Sequence, residues 1–259
     1  MSKILAITNQ KGGVGKTTTT VNLAASLGAA KQRVLLIDLD PQGNATMGSG
    51  INKADLETTI YDVLMGEKTI FEARIQSAAC KYDILPANRE LAGAEIELVD
   101  VEGREMRLKE ELEPVLNEYD YILVDCPPAL NLLTLNGLCA AKSVMIPMQC
   151  EYYALEGLSD LVNTIRKVRE NLNPDLEIEG LLRTMFDPRN ALAQQVSDQL
   201  QQHFGNKVYR TVIPRNVRLA EAPSFGIPAL YHDSQSKGTL AYLALAGEML
   251  NNATAHVAA

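Results

Sequence analysis

The sequence predicts an α/β fold built on a mostly parallel, twisted sheet with helices on both faces. Three observations carry that expectation. Short apolar, β-branched runs alternate with longer helical patterns along the chain, the alternation that gives a parallel sheet. Two of the runs, Val34-Leu35-Leu36-Ile37 and Tyr121-Ile122-Leu123-Val124, are apolar throughout, as strands buried on both sides are. A Gly-rich octet, residues 11–18, stands between a strand pattern and a helix pattern, where a ligand-binding turn of such a sheet belongs.

In chain order, the first strand is expected over 3–8, where Ile4-Leu5-Ala6-Ile7 leads into the octet. A helix over 16–30 follows, because Val21, Leu23, Ala24 and Leu27 fall on one helical face. The apolar runs then mark strands at 33–39, 83–86, 120–125, 143–148, 178–184 and 208–213. Between them, helical patterns lie near 104–117, 130–141, 153–170, 190–204 and 237–251. No repeat, low-complexity linker or composition break divides the chain, so one domain over 1–259 is expected. Residues 252–259, Asn-Ala-Thr-Ala-His-Val-Ala-Ala, are expected to form a short frayed tail.

At 259 residues the chain is long enough to bury a substantial core, and 46% hydrophobic with 22% charged residues is the balance of a soluble globular protein. No apolar run reaches membrane-spanning length, and Met1-Ser2-Lys3 runs directly into a strand, so neither a membrane span nor a secretory leader is expected. Cys80, Cys126, Cys139 and Cys150 are far apart. They form no disulfide framework or metal motif and read as reduced, buried thiols.

Net charge is −8 with a pI near 5.0, which argues globally against non-specific nucleic-acid binding. The charge is uneven, however. Residues 90–120 carry Glu90, Glu95, Glu97, Asp100, Glu102, Glu105, Glu110, Glu111, Glu113, Glu118 and Asp120 against Arg104, Arg107 and Lys109. Residues 183–218 carry Arg183, Arg189, Lys207, Arg210, Arg215 and Arg218 against Asp187 and Asp198. A basic surface on an acidic protein is therefore an open expectation beside scattered solvated charge.

The octet reads Lys11-Gly12-Gly13-Val14-Gly15-Lys16-Thr17-Thr18. It fits the phosphate-loop pattern G-x-x-x-x-G-K-[ST] once the first glycine position is relaxed. Glycines let the backbone curl so that successive N–H groups face one phosphate, and the following helix N-terminus adds its partial positive charge. Lys16 is the candidate for the β- and γ-phosphates and Thr17 for Mg²⁺. Lys11 is a second lysine that an ordinary phosphate loop does not need. The fold class sharpens to a P-loop NTPase.

Two acidic motifs end other strands: Asp38-Leu39-Asp40-Pro41-Gln42-Gly43-Asn44 and Asp125-Cys126-Pro127-Pro128. Asp125, after four apolar residues, is placed as a Walker-B aspartate holding Mg²⁺; the alternative is a cap on the next helix. Asp40, at the exposed end beside Pro41, is assigned to orienting the attacking water, and Asp38 to supporting the metal shell. Phosphoryl transfer also needs charge stabilisation in the transition state, as an arginine finger supplies. Lys11 is the candidate here, reaching a partner's nucleotide in a face-to-face dimer.

With its extra lysine, Lys11–Thr18, followed by Asp38–Asn44 and Asp125–Pro128, resembles the deviant Walker-A ATPases of the ParA/MinD superfamily. Gln149-Cys150-Glu151-Tyr152-Tyr153-Ala154-Leu155-Glu156-Gly157 and the stretch from Ile213 to Gly226 narrow the resemblance to chromosomal ParA (Soj) partition ATPases. The likeness spans nearly the whole chain. It implies ATP and Mg²⁺ as ligands, an ATP-dependent homodimer, slow hydrolysis, non-specific binding of double-stranded DNA, and a ParB-type partner that stimulates turnover. A cytoplasmic, nucleoid-associated protein without a membrane partner is implied. Carried over by position, Lys11 contacts the nucleotide across the dimer, Lys16, Thr17 and the loop hold phosphate and Mg²⁺, and Asp40 is catalytic. The segment Pro214–Asn216, with Met185, resembles the adenine-packing residues. Arg189 and Arg218, with Arg215 beside them, match DNA-binding positions, where a planar, permanently charged guanidinium suits phosphate.

The alternative within the superfamily is a MinD-like membrane-cycling ATPase. That function needs a basic, bulky-apolar C-terminal amphipathic helix, and Asn251–Ala259 has no Lys, Arg, Leu, Ile or Phe. An iron–sulfur carrier of the same fold needs suitably placed cysteines. An adaptor that merely binds ATP has no use for both Lys16 and Asp40.

Overall fold

The computed structural model describes residues 2–77 and 80–257. The elements in chain order are β1 (Lys3–Ile7), α1 (Lys16–Ala29), β2 (Val34–Asp38), α2 (Asn44–Gly48), α3 (Ile60–Met65), α4 (Ile70–Ala73), β3 (Ile75–Ser77), β4 (Tyr82–Leu85), α5 (Leu91–Glu97), α6 (Arg107–Leu112), β5 (Tyr121–Asp125), α7 (Leu132–Ala140), β6 (Ser143–Gln149), α8 (Ala154–Asn171), β7 (Glu177–Phe186), α9 (Ala191–Phe204), β8 (Val208–Pro214), α10 (Val217–Glu221), α11 (Ala229–His232) and α12 (Lys237–Val257). Among the described residues the strands form one eight-stranded sheet in the order β3-β4-β2-β5-β1-β6-β7-β8. All neighbours are parallel except the edge pair β3–β4.

Alternation along each strand explains the layers. Ile4, Ala6, Leu35, Ile37, Ile122 and Val124 enter one core with residues from α3 to α9; Leu5, Ile7, Leu36, Tyr121 and Leu123 enter the other, with α1 and α12. Successive strand side chains point to opposite faces, so a run such as Val34–Ile37 is apolar at every position because both faces are covered.

The register aligns the chemistry. Ile7 and Asp38 both pair with Asp125, one from each side. The ends of β1, β2 and β5 therefore form one row, and the octet, the Asp38–Asn44 turn and the loop after Asp125 leave that row together. β1 lies between β5 and β6, where the chain's winding changes direction; this is where open α/β sheets collect ligands.

Several expectations needed correction. The helix expected over 104–117 is the six-residue α6 followed by a 3₁₀ turn at Glu113–Val115. Pro114 lacks the N–H that a continuing α-helix needs there. The helix expected over 237–251 continues to Val257, through much of the stretch expected as a tail; Ala258 and Ala259 lie outside the described residues. β7 runs two residues beyond its expected end, to Phe186. Seven short elements, α2 to α5, β3, α10 and α11, were not anticipated. Two carried a legible signal: Thr59 with Asp62 and Thr69 with Glu72 form capping boxes at α3 and α4.

Candidate nucleotide site

The octet connects β1 to α1 by a turn that only glycine makes easily at two places. Gly13 and Gly15 have φ of 74° and 88°, the left-handed region that costs other residues energy. A Cβ at Gly12 or Gly13 meets nothing within 4 Å, so dihedral freedom at Gly13, rather than crowding, sets that requirement. Gly15 is also the N-cap of α1 and supplies no side-chain cap. The first-turn N–H groups of this fourteen-residue helix thus keep their donors for an anion. The loop itself is pinned from outside: the Thr184 hydroxyl donates to the Val14 carbonyl at 2.8 Å, and the Asn9 amide donates to the Pro147 carbonyl at 2.8 Å.

Lys16 is buried at 7% exposure and its ammonium points back to the Lys11 carbonyl at 3.4 Å. Burial lowers its pKa from the ordinary lysine value, and the nearby charges of Asp125 and Asp40 oppose that shift.

Asp125 ends β5 at 1% exposure, accepting hydrogen bonds from the Thr17 hydroxyl at 2.8 Å and the Thr20 hydroxyl at 3.0 Å. Burial, then the charge of Asp38, raises its carboxyl above the usual range, and the two threonine bonds pull the other way. Among the described residues no cluster of three His, Cys, Asp or Glu side chains stands ready for a metal. Thr17 and Asp125 nevertheless fit a Mg²⁺ site, because they are hard oxygen donors beside a phosphate loop and Mg²⁺ takes its other ligands from phosphate and water.

Asp38 and Asp40 differ because β2 stops between them. Asp38, fully buried, accepts from the Thr46 amide at 2.8 Å, the Thr46 hydroxyl at 2.7 Å and the Asp40 amide at 3.2 Å. Burial raises its pKa and these bonds oppose the rise. Its oxygens are committed to the turn that carries Asp40, which makes it an anchor of that turn in this state. Asp40 is half-buried, its carboxylate accepts among the described residues only the Gln42 amide at 2.9 Å, and it lies close enough to act on Lys16 and Asp125.

Lys11 turns away from its own loop and ion-pairs with Glu151 at 2.5 Å, both side chains about half exposed. Tyr152 and Tyr153 follow Glu151 with exposures of 74% and 69% and pack edge-to-face on each other at 5.0 Å. Beside the loop opens a cavity of about 160 Å³ lined by Gly15, Thr18, Thr184, Met185, Pro214, Arg215, Asn216 and Tyr242. Met185, Pro214 and Asn216 are thus brought together, with Met185 in a left-handed conformation at φ 47° and its sulfur accepting from the Gln149 amide at 3.0 Å.

The arginines divide differently. Arg183, counted in the basic stretch, is interior at 8% exposure and bonds Ser197 and the Tyr209 and Arg210 carbonyls; it ties β7 to β8 and α9 and is no surface cation. Arg189 is exposed but held bidentately by Asp187, whose carboxyl that pairing lowers to about 2. Arg218 pairs with Glu221 at 2.8 Å and Asp233 at 3.3 Å. Arg215 has no ion pair among the described residues and shares a second cavity of about 200 Å³ with Glu151, Asp187 and Asn190. The Phe186–Pro214 pairing brings the two arginine-bearing loops to one end of β7 and β8.

Sequence reading missed Thr20, Thr46, Thr184 and Glu151. Thr20 was legible as the i+3 neighbour of Thr17 on a helix face. Thr46 and Thr184 act on partners 8 and 170 residues away, and no local pattern announces them.

The four cysteines are buried and free. No helix among the described residues is long and apolar enough to cross a membrane.

A family model described as an AAA domain matches residues 2–178. The sporulation initiation inhibitor protein Soj of Bacillus subtilis is 56% identical over 252 residues, covering 97% of this chain and 100% of its own length. The chromosome partitioning protein ParA of Myxococcus xanthus is 52% identical, covering 98% of this chain and 90% of its own. Among solved structures, cobyrinic acid a,c-diamide synthase from Mycobacterium smegmatis with bound ATP analog and magnesium superposes with a TM-score of 0.87 at 36% identity, over 98% of this chain and 96% of that one. With a phosphate loop, a buried aspartate ending β5 beside it and relatives of this identity over nine-tenths or more of their lengths, the chain belongs to the AAA-domain family and, within it, to the ParA/Soj partitioning ATPases of the ParA/MinD superfamily.

Proposed function

We propose that this chain binds ATP with Mg²⁺, dimerises face to face around the nucleotides, holds double-stranded DNA without sequence preference, and lets go when a ParB-type partner stimulates hydrolysis. The observation that carries the reading is Lys11. Its ammonium is exposed at the mouth of the site and engaged by Glu151 rather than by its own loop, so it is available to a neighbour's nucleotide. The exposed Tyr152 and Tyr153 beside it supply apolar area for the same contact. The names of the relatives, chromosome partitioning protein ParA and Soj, support the partition role, and the ATP analog and magnesium of the M. smegmatis structure support the ligands.

In this reading the loop amides and Lys16 take the triphosphate, and Thr17 with Asp125 holds Mg²⁺, which neutralises phosphate charge when bound. The cavity between Met185 and Asn216 takes the base. Asp40, whose carboxylate is committed only to its own turn, orients water towards the γ-phosphate. Lys11 of one subunit stabilises charge on its neighbour's nucleotide. Arg215, and Arg189 and Arg218 once released from their carboxylates, contact phosphate backbones; two copies double that patch and tie DNA affinity to dimerisation. Cytoplasmic and nucleoid residence follows from that binding.

Sedimentation of the protein alone, with ADP and with a non-hydrolysable ATP analogue, each with and without duplex DNA, tests the scheme. A dimer and a DNA complex formed only with the analogue are expected. A particle that stays monomeric with saturating analogue refutes it.

A further inference from the structure

Strand β7 breaks its own alternation where it passes the phosphate loop. Leu181 and Phe186 enter one core although they stand five positions apart, and Leu182 enters the other. An odd spacing on one face of a strand means that one residue is extra. The pairing with β8 locates it: Arg183 faces Val212 and Phe186 faces Pro214, three steps on β7 against two on β8. Met185 takes up the excess at φ 47°, a left-handed conformation that is costly for a long side chain. Bulges of this kind re-aim side chains beside active sites, and backbone strain kept in a fold points to a use for it. Here Thr184 and Met185, which a regular strand would send to opposite faces, line the same cavity beside the loop.

The Thr184 hydroxyl donates to the Val14 carbonyl, and both residues are buried, so bulk water does not compete for the bond. A peptide unit is planar and trans, with its C=O and N–H on opposite sides. Drawing the Val14 carbonyl towards β7 therefore aims the Gly15 N–H away from β7. The loop has no means of its own to fix that plane, because glycine turns freely about φ. The helix does not claim the donor either: the Thr19 amide makes the first backbone bond of α1, to the Gly15 carbonyl. The Thr184 methyl also lies 3.9 Å from where a Cβ on Gly15 would stand, so the side chain backs the loop at contact distance.

We infer that Thr184 is a positioning residue for the nucleotide's phosphates: its hydroxyl holds the Val14–Gly15 peptide in the orientation that presents the Gly15 N–H to phosphate. It acts through the loop. With the carbonyl held from outside, the donor is aimed before the ligand arrives and need not be ordered at binding. Adjacent residues of one bulge then serve the two ends of the ligand, Thr184 the phosphates and Met185 the base. This role rests on the octet being the phosphate site of the function proposed above.

The test titrates the full chain with ADP and with adenosine, which has the base and no phosphate. Thr184→Val keeps the shape and loses the hydroxyl. It should weaken ADP about tenfold, the scale of one hydrogen bond to a charged group, and change adenosine affinity by less than about twofold. Thr184→Ser keeps the hydroxyl and should bind both ligands within about threefold of wild type. Unchanged ADP affinity in Thr184→Val overturns the proposal. So does equal weakening of ADP and adenosine, which would confine Thr184 to shaping the base cavity, or a loss in Thr184→Ser as large as in Thr184→Val, which would assign the effect to the methyl. Thr184→Val leaves a buried carbonyl unpaired, so wild type supplies a second reading that does not depend on the variant folding. In the ¹⁵N-glycine NMR spectrum the Gly15 amide proton should move downfield with ADP and stay in place with adenosine; a resonance that ADP does not move also overturns it. Lys16→Ala separates the two levels. If it binds ADP as wild type does, the phosphate-site reading falls and takes this role with it. If it loses ADP while Thr184→Val does not, the phosphate site stands and only the role of Thr184 is lost.

Discussion

The Thr17 hydroxyl donates a 2.8 Å hydrogen bond to Asp125, 108 residues away in the chain. Thr20, one turn further along α1, donates to the other oxygen of the same carboxylate. The helix that follows the phosphate loop and the strand that ends in Asp125 are thus joined by the side chains proposed to hold the metal. The bond is also a structural tie between β5 and α1, which separates two consequences of mutating it.

Asp125→Asn keeps the shape and removes a buried charge. Its carboxyl is raised by burial and by Asp38, so the charged form is a cost in the ligand-free fold. We expect the variant to be more stable than wild type without ligand by about 1 kcal/mol, worth roughly 2–4 °C in Tm at this size. It should lose Mg²⁺-dependent tightening of ATP binding. Calorimetry with and without Mg²⁺-ATP reads both. A variant that ATP and Mg²⁺ stabilise as fully as wild type removes Asp125 from the metal site.

The two lysines of the octet should fail differently. Lys16→Ala removes the buried cation of the loop and should abolish nucleotide binding, read with a fluorescent ATP analogue. Lys11→Ala should retain binding and lose ATP-driven dimerisation in sedimentation. Glu151→Gln frees Lys11 from a half-exposed pair worth about 0–1 kcal/mol. It should leave stability nearly unchanged and make dimerisation easier. If Lys11→Ala dimerises normally, the trans role is lost while the phosphate loop stands.

Asp40→Ala removes a carboxylate that accepts only a local amide, so folding should be little affected. ATP binding should persist and turnover should fall by at least about 10²-fold, the scale of losing a positioned base. The ATP-bound dimer should then accumulate on DNA. Normal steady-state phosphate release would assign water activation elsewhere.

Gly137 tests how tightly the site is backed. A Cβ there would come within 2.9 Å of the Cys126 sulfur, 3.2 Å of Leu39 and 3.4 Å of Val124, all behind the Asp125 and Asp40 turns. Gly137→Ala should therefore cost about 1–3 kcal/mol by overpacking, despite alanine's better helix propensity, and should reduce turnover by shifting Cys126 and its neighbour Asp125. Denaturant unfolding with parallel kinetics checks both; a stabilised, fully active variant would mean that α7 moves freely.

What the sequence made legible follows the range over which its signals act. The sheet could be read because Val34–Ile37 and Tyr121–Val124 are apolar at every position, and burial on two faces leaves few other patterns. The phosphate loop could be read because dihedral demands at Gly13 and Gly15 act over a few residues. The small helices between residues 44 and 97 gave no periodic signal, since four to seven residues span too few turns to establish a period; only the capping boxes at α3 and α4 marked any of them. Arg183 misled for a related reason. Charge suggests surface, yet its guanidinium donates to carbonyls of β8 that lie beside it only after folding. Glu151 stood within a quoted motif without a role, because its partner Lys11 is 140 residues away.

Arg218 gives the sharpest test of the DNA surface. Its guanidinium is already matched by Glu221 and Asp233, so a phosphate has to compete for it. Arg218→Glu removes a cation and adds an anion beside two others. DNA affinity should fall sharply, while ATP binding and analogue-driven dimerisation persist. Glu221→Gln relaxes the competition and should strengthen DNA binding, with a steeper salt dependence as more phosphate charge is neutralised by the protein. Arg189 offers the same pairing in miniature: Asp187→Asn frees it at an exposed site and should act in the same direction. Filter binding across a salt series distinguishes these outcomes. If Arg218→Glu holds DNA as wild type does and neither carboxylate substitution changes the slope, the duplex is held by another surface.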